Sequence, residues 1–221
     1  MRKRDLAILE SLEKFKCLTR DQLAALHFAE NSNPAVTANR VLKRLRMHQY
    51  ITANTDRSFQ QYIYFPNPPT IKIDSQKIEH YLMIAQGFID MDHYAKVSDY
   101  KIEPKIDGAD FIPDGTCSWL NNSWFLEFQN SLYTTKQLYA KIDKYVDYYE
   151  KGYWAKERLL IIGKVNLKLD ASAYPFKIKQ IKSVKELEPS IAAYKKLHQK
   201  EASFSPMKIA AESGGIRIKI G

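Results

Sequence analysis

The proline-rich stretch Phe65-Pro66-Asn67-Pro68-Pro69-Thr70 limits most strongly how this chain of 221 residues can fold. Proline lacks a backbone N–H and has a fixed φ, so a run of prolines interrupts both helices and central strands. Such a run favours an extended, semi-rigid connector. The sequence therefore predicts a first unit over residues 1–65, a linker over 66–72, a larger unit over 73–200 and a tail over 201–221.

Composition excludes several classes of protein. Apolar residues make up 45% of the chain and aromatic residues 12%, so a core of ordinary size can be buried and disorder throughout is excluded. No apolar run approaches the roughly 18 residues of a membrane span, and we expect no membrane partner. The basic start is interrupted by acids, which favours an amphipathic helix over a signal peptide. Cys17 and Cys117 lack C-x-x-C spacing, which favours a reduced, cytoplasmic protein without zinc.

The first 65 residues show the pattern of three helices and a hairpin. Apolar residues recur at helical spacing before residue 16, and Thr19 with Gln22 forms a capping box that begins a second helix ending near Phe28. A third helix is predicted from about Pro34 to His48, followed by strands over 50–53 and 59–64. Three helices followed by a two-stranded hairpin is the order of a winged helix-turn-helix.

The third predicted helix carries the charge that indicates a partner. Residues 1–65 contain 11 Lys and Arg against 6 Asp and Glu, a net +5 of the chain's +9. Four cations and no acid lie between residues 37 and 48. A helix about 10–12 Å across fits the major groove of double-stranded DNA, where cations meet phosphates and Asn or Arg can reach base edges.

This helix and the following hairpin supply the predicted DNA-binding residues. They are Thr37, Asn39, Arg40, Lys43 and Arg44 on the helix, with Asn39 as the base reader, and Arg57 at the wing tip. Two alternatives remain open from the sequence: an ordinary solvated helix face, or a winged helix that docks another protein.

The larger unit is predicted to be an α/β sandwich, which makes the whole chain α+β. Its predicted elements are a helix over 76–91, strands over 97–102, 111–120 and 123–128, a helix from 134 or 135 to 149, strands over 159–162 and 176–181, and a helix over 184–198. Mixed order of this kind is typical of helices packed on both faces of a central sheet.

Two carboxylates on the predicted hairpin of the larger unit form a candidate catalytic site. Asp114 opens the first strand and Glu127 lies near the end of the second, so the hairpin brings them to one sheet edge. Such a pair can hold Mg²⁺, which activates water and stabilises charge on a scissile phosphate. Two residues after the Glu, where a Lys is normally required, stands Gln129, whose amide orients water but supplies no charge. The alternative is an ordinary Pro-Asp-Gly turn and a solvent-facing Glu.

Four neighbouring residues have separate interpretations. Lys136 and Lys141 are interpreted as surface charges, with replacement of the missing cation as the alternative. Glu103 becomes a third acid only if its strand lies alongside the hairpin. His80 is interpreted as a hydrogen-bonded, half-buried residue and not as a metal ligand.

These features resemble the PD-(D/E)xK nuclease fold, and the chain is similar to the replication-relaxation family of bacterial plasmids and mobile elements. In that family a winged helix precedes a nuclease-like domain. The similarity covers about residues 5–165, and its motifs are the winged helix, His80, Pro113-Asp114, Trp124 to Gln129 and Lys141 to Tyr145. Where Gln129 stands, the family usually has an acid, so the chain departs from it there.

The resemblance implies DNA binding during plasmid replication, relaxation or transfer, with a nuclease-like domain that is degenerate. A replication or relaxase protein is a further expected partner, and a homodimer is expected because winged helices often bind two-fold sites. Two other functions stay open: a Mg²⁺-dependent endonuclease that uses Asp114 and Glu127, and a winged-helix transcriptional repressor.

Overall fold

The chain has a mixed α+β fold, as predicted. The computed structural model describes residues 1–55, 61–164 and 168–203, with only the backbone of 198–203. The helices are α1 (Lys3–Phe15), α2 (Arg20–His27), α3 (Pro34–Met47), α4 (Ile78–Tyr94), α5 (Thr135–Glu150) and α6 (Glu188–Ser203). The strands are β1 (Leu18–Thr19), β2 (Ile51–Asn54), β3 (Ile63–Pro66), β4 (Ser98–Ile102), β5 (Gly115–Trp119), β6 (Asn122–Gln129), β7 (Arg158–Gly163) and β8 (Ile178–Ile181).

The N-terminal part consists of α1, α2 and α3 and a small antiparallel sheet of order β1-β3-β2. The predicted capping box begins α2: the backbone N–H of Gln22 donates to Thr19 Oγ1 at 3.2 Å, and Thr19 N–H donates to Gln22 Oε1 at 3.1 Å. Helix α3 buries Ala38, Leu42 and Leu45. Arg57, the predicted wing tip, lies outside the described residues.

The larger sheet has the order β4-β5-β6-β7-β8, antiparallel from β4 to β6 and parallel from β6 to β8. Successive residues of a strand point to opposite faces, so Leu126 and Phe128 of β6 pack on the α4 side while Phe125 packs on the α5 side. Helices therefore cover both faces of the sheet. Among the described residues, no helix combines the length and apolarity needed to cross a bilayer.

Two predicted strands begin later in the structure than predicted, and the aromatic residue at each predicted start packs on other rings instead. The strand predicted from residue 111 begins at Gly115, and the Phe111 ring packs 4.1 Å from that of Tyr145. The strand predicted from residue 176 begins at Ile178, and Phe176 stacks on Trp154 with ring centroids 4.1 Å apart. At the other end of the chain, α6 continues to Ser203, five residues beyond the predicted end at residue 198.

One hydrophobic core joins the N-terminal part to the larger sheet. The Phe15 ring of α1 lies 5.4 Å from that of Phe88 on α4 and 6.2 Å from that of Tyr100 on β4. The Gln22 side chain donates to the carbonyl of Leu82 at 2.8 Å. Helices α1 and α2 are therefore packed against α4, whereas α3 packs on α2 and keeps its outer side exposed. The division into separate domains stays a prediction.

Candidate functional site

The exposed side of α3 is a cationic face. Because Ala38, Leu42 and Leu45 are buried, the positions between them point outward. The exposed polar residues on this side are Asn39, Arg40, Lys43 and Arg46. No ion pair to a carboxylate of the described residues involves any of these three cations. Their charges are therefore available to an anionic partner.

Arg44 and Thr37 differ from the other predicted contact residues, because each is bonded within the protein. Arg44 Nη2 donates to Asp5 Oδ1 at 2.6 Å, and the Asp5 side chain is only 2% exposed. Burial works to raise the pKa of Asp5, but hydrogen bonds from the Arg2 backbone and Arg44 outweigh it and lower that pKa. The Thr37 hydroxyl donates to the carbonyl of Asn33 at 3.0 Å. Arg44 is thus largely an internal counterion.

A cleft of about 390 Å³ lies beside the cationic face. Its lining residues are Arg20, Asn39, Lys43, Arg46, Gln61, Tyr62 and Tyr64, which include three cations and no carboxylate. Arg20 forms an ion pair with Asp21 at 2.7 Å, so the charge nearest α2 is partly compensated. Arg46 is one of the four cations that the sequence shows between residues 37 and 48, whereas Arg20 comes from another helix and was not predicted to belong to the contact surface.

The hairpin of β5 and β6 brings Asp114 and Glu127 together, as predicted. Gly115 pairs with Leu126 in the antiparallel ladder, so the residues before and after them lie side by side. Asp114 Oδ2 accepts the backbone N–H of Phe128 at 2.6 Å. Its Oδ1 lies 3.1 Å from His80 Nε2, and His80 is half-buried and hydrogen-bonded as expected.

Lys141 of α5 completes this site, which corrects its interpretation as a surface charge. Its ammonium forms an ion pair with Glu127 Oε2 and lies 3.9 Å from Asp114 Oδ2. One turn later on the same side of α5, the Tyr145 hydroxyl donates to Glu127 Oε1. Lys136, in contrast, is exposed as predicted. The signal available in the sequence was the position of Lys141 on the helix, because helical spacing places this charged residue on the side of α5 that faces the sheet.

The two carboxylates differ in proton affinity. Burial raises the pKa of Glu127 to about 7, in spite of the nearby ammonium. Burial also works to raise the pKa of Asp114, but the hydrogen bond from His80 and the charge of Lys141 outweigh it and lower that pKa. The same hydrogen bond raises the pKa of His80. Burial works to lower the pKa of Lys141, and the charges of Glu127 and Asp114 raise it instead.

Gln129 and Glu103 have distinct environments. Gln129 is 2% exposed and lies on the same strand face as Glu127, and neither polar atom of its amide has a hydrogen-bond partner among the described residues. The strand before Glu103 does lie alongside β5, and Glu103 N–H donates to the Asp114 carbonyl at 3.1 Å. The Glu103 carboxylate accepts the Tyr81 hydroxyl at 2.8 Å.

The arrangement does not fit Mg²⁺ as it stands. Each oxygen of the carboxylate pair already has a hydrogen-bond or ion-pair partner: His80, Phe128 N–H and Lys141 at Asp114, the Tyr145 hydroxyl at Glu127 Oε1, and only the Lys141 ion pair at Glu127 Oε2. Within the described part of the chain, no group of three or more His, Cys, Asp or Glu residues is placed to hold a metal ion. The ammonium of Lys141 lies where the two carboxylates would bind a cation.

A groove of about 1130 Å³ runs beside this site between the loop before β5 and α5. Its wall includes Lys105, Glu127, Tyr133, Lys141, Lys144 and Tyr145. The groove gives solvent access to the Lys141 side chain, which is 31% exposed, while Glu127 behind it stays buried.

The chain was compared with curated proteins and with models of known protein families. A search of curated proteins found no match. The model of the replication-relaxation family matches residues 9–162, more than half of the chain. The matched segment includes the cationic face of α3, the carboxylate pair and Lys141. The chain belongs to the replication-relaxation family.

Proposed function

We propose that this protein is a DNA-binding accessory factor in the replication, relaxation or transfer of plasmids or other mobile elements. The family match supports a role in replication or relaxation of such elements. The observation that carries the DNA-binding part is the exposed face of α3, where Arg40, Lys43 and Arg46 point outward and no described carboxylate compensates them.

The arrangement of the N-terminal elements supports a winged helix-turn-helix. A short strand between α1 and α2 pairs with β3, and β3 pairs with β2, so the sheet packs with the helices and α3 keeps one free side. Helix α3 has 14 residues and is therefore about 21 Å long, enough to lie along the major groove. In this orientation Asn39 is the base reader and the cations contact phosphates.

The cleft beside α3 extends the proposed contact surface. Arg46 and Arg20 line it together with Lys43, so a phosphate of the strand that passes α3 meets cations from two helices. Arg44 has a smaller part in this contact because it is bonded to Asp5. Arg57 of the hairpin remains a predicted wing contact.

The larger unit is proposed to be a nuclease-like scaffold that is degenerate for metal-dependent cleavage. Two observations support this: Lys141 occupies the space between the carboxylates, and Gln129 replaces the lysine expected on β6. The groove beside this site offers a surface for DNA or for a replication or relaxase protein.

Binding to a labelled DNA duplex, measured by fluorescence anisotropy at two salt concentrations, tests the proposal. If several phosphates are contacted, affinity should fall steeply between about 50 and 200 mM salt. The variant Arg40→Glu/Lys43→Glu should bind at least about tenfold more weakly than Lys195→Glu/Lys196→Glu, a matched charge reversal at exposed positions of α6. Salt-independent binding, or equal effects of the two variants, would contradict the proposed interface.

A plasmid-nicking assay tests the degenerate site separately. We expect supercoiled plasmid to remain intact with protein and Mg²⁺ or Mn²⁺. Cutting by the wild-type protein that is lost in Asp114→Ala would make the carboxylate pair catalytic and would refute this part of the proposal. Because α3 lies on another part of the molecule, that result would leave the DNA-binding proposal standing.

A further inference from the structure

We propose that Asp114 and Glu127 form a cation site whose resident cation is the chain's own Lys141, so that removing this lysine opens the site to a divalent metal ion. The inference concerns the larger unit and does not depend on DNA binding by α3.

The ammonium of Lys141 lies beside both carboxylates. Two carboxylates from neighbouring strands lie close together, one 14% and the other 4% exposed, where like charges need a counterion. Lys141 Nζ forms an ion pair with Glu127 Oε2 and lies within 3.9 Å of Asp114 Oδ2. One cation therefore serves both carboxylates, which is the position that a bridging metal ion takes.

The amide of Gln129 provides an independent observation that points to a ligand. Buried polar groups without a partner are rare, yet both polar atoms of this amide lack one among the described residues. Gln129, Glu127 and Lys141 line the same void of about 10 Å³. A shorter side chain at position 141 should enlarge this void, which Gln129 already lines. Two carboxylates and an amide oxygen are the ligands that hard divalent cations prefer.

Competition explains why the intact protein should not bind the ion. The ammonium is tethered to α5 and its local concentration at the carboxylates is high, whereas a free divalent ion must lose water to enter. The groove beside α5 gives an entry path, because the lysine side chain lies in its wall and is 31% exposed.

Binding of Mn²⁺ to Lys141→Met, measured by the loss of the electron paramagnetic resonance signal of free Mn²⁺, tests the inference. Lys144→Met is the matched control, because Lys144 is exposed on the same helix, lines the same groove and forms no ion pair with a described carboxylate. We expect Lys141→Met to bind Mn²⁺ at least about 100-fold more tightly than the wild type or the control, since a unit positive charge beside the ion is removed. Adding Asp114→Asn should abolish the gain.

Two results would overturn the inference. Equal Mn²⁺ affinity of the wild type and Lys141→Met would show that the lysine does not hold the place of the ion. Absence of binding to Lys141→Met would show that the carboxylates do not form a cation site. If this variant is unfolded without metal, its thermal midpoint is measured with and without Mn²⁺: a rise that the control lacks supports the site, and an unchanged midpoint refutes it.

Discussion

Replacement of Arg44 by alanine should weaken the fold more than it weakens DNA binding. The Arg44 guanidinium donates to Asp5 Oδ1 at 2.6 Å, and the Asp5 side chain is 2% exposed. A hydrogen bond to a charged group contributes about 1.5–3 kcal/mol, and breaking a fully buried ion pair costs about 3–5 kcal/mol. The Arg44 side chain is 40% exposed, so solvent screens part of the interaction. We therefore expect a loss of about 2 kcal/mol in the free energy of unfolding.

Urea unfolding and thermal melting measure this effect. For a chain of this size, a loss of about 2 kcal/mol lowers the thermal midpoint by about 4–8 °C. Arg40→Ala, one turn earlier on α3, is the matched control: this exposed side chain has no described carboxylate partner, and its removal should change stability by no more than about 0.5 kcal/mol. Adding Asp5→Asn to Arg44→Ala should recover part of the loss, because the buried charge is removed.

The order of the two variants should reverse in a DNA-binding assay below both melting temperatures. There Arg40→Ala should reduce affinity more than Arg44→Ala, since only the first removes an uncompensated charge from the proposed interface. Equal stability of the two variants would refute the reasoning about the Asp5–Arg44 pair. A larger loss of affinity in Arg44→Ala than in Arg40→Ala would refute its assignment as mainly internal.

Three further predictions follow from buried groups. Burial raises the pKa of Glu127 to about 7 and lowers that of His27 to about 4. Between about pH 4.5 and 6.5, folded Glu127 keeps a proton that the unfolded chain loses, so the contribution of Glu127 to the free energy of unfolding falls as the pH rises. In the same range folded His27 is neutral while the unfolded chain still binds a proton there, so the contribution of His27 rises with pH. Each change is at most about 3 kcal/mol. Urea unfolding should therefore show stability that rises with pH in Glu127→Gln and falls in His27→Gln, and parallel curves would contradict this. Gly87→Ala should destabilise by about 1–3 kcal/mol, because a Cβ there would lie 2.6 Å from Cζ of the buried Phe128 ring; an unchanged thermal midpoint would show that the ring gives way. Tyr145→Phe leaves Glu127 Oε1 without its donor and should cost about 1–3 kcal/mol, measured by urea unfolding, whereas unchanged stability would mean that another donor replaces the hydroxyl.

Much of the fold follows from local signals in the sequence. The capping residues Thr19 and Thr134, the apolar spacing of the helices and the short gap between the strands predicted over 111–120 and 123–128 place most element ends within a few residues of those observed. These signals depend on residues within about four positions of each other, so they can be read without the tertiary structure. Two strands begin later than predicted, at Gly115 and Ile178, and for the first of them the Pro-Asp-Gly tripeptide was a local signal of the later start.

The candidate sites were predictable only in part. The meeting of Asp114 with Glu127 follows from hairpin geometry, because one tight turn fixes which residues lie opposite each other. The contact of Lys141 with this pair depends on how α5 docks on the sheet, and the interpretation of that lysine as a surface charge was therefore wrong. The same limit applies to Gln129, whose position was predicted while its unpartnered, buried amide was not.

By itself, the sequence determined the order of the elements, the acid-free cationic helix and the hairpin that carries the two carboxylates. Only the tertiary structure decided which charges are paired: Arg40 and Lys43 form no ion pair with a described carboxylate, while Arg44 is bonded to Asp5, which lies 39 positions away in the chain, and Lys141 is bonded to Glu127. The physical reason is that the energy of a charge depends on its burial and its nearest partner, and both are set by packing between elements that are distant in sequence.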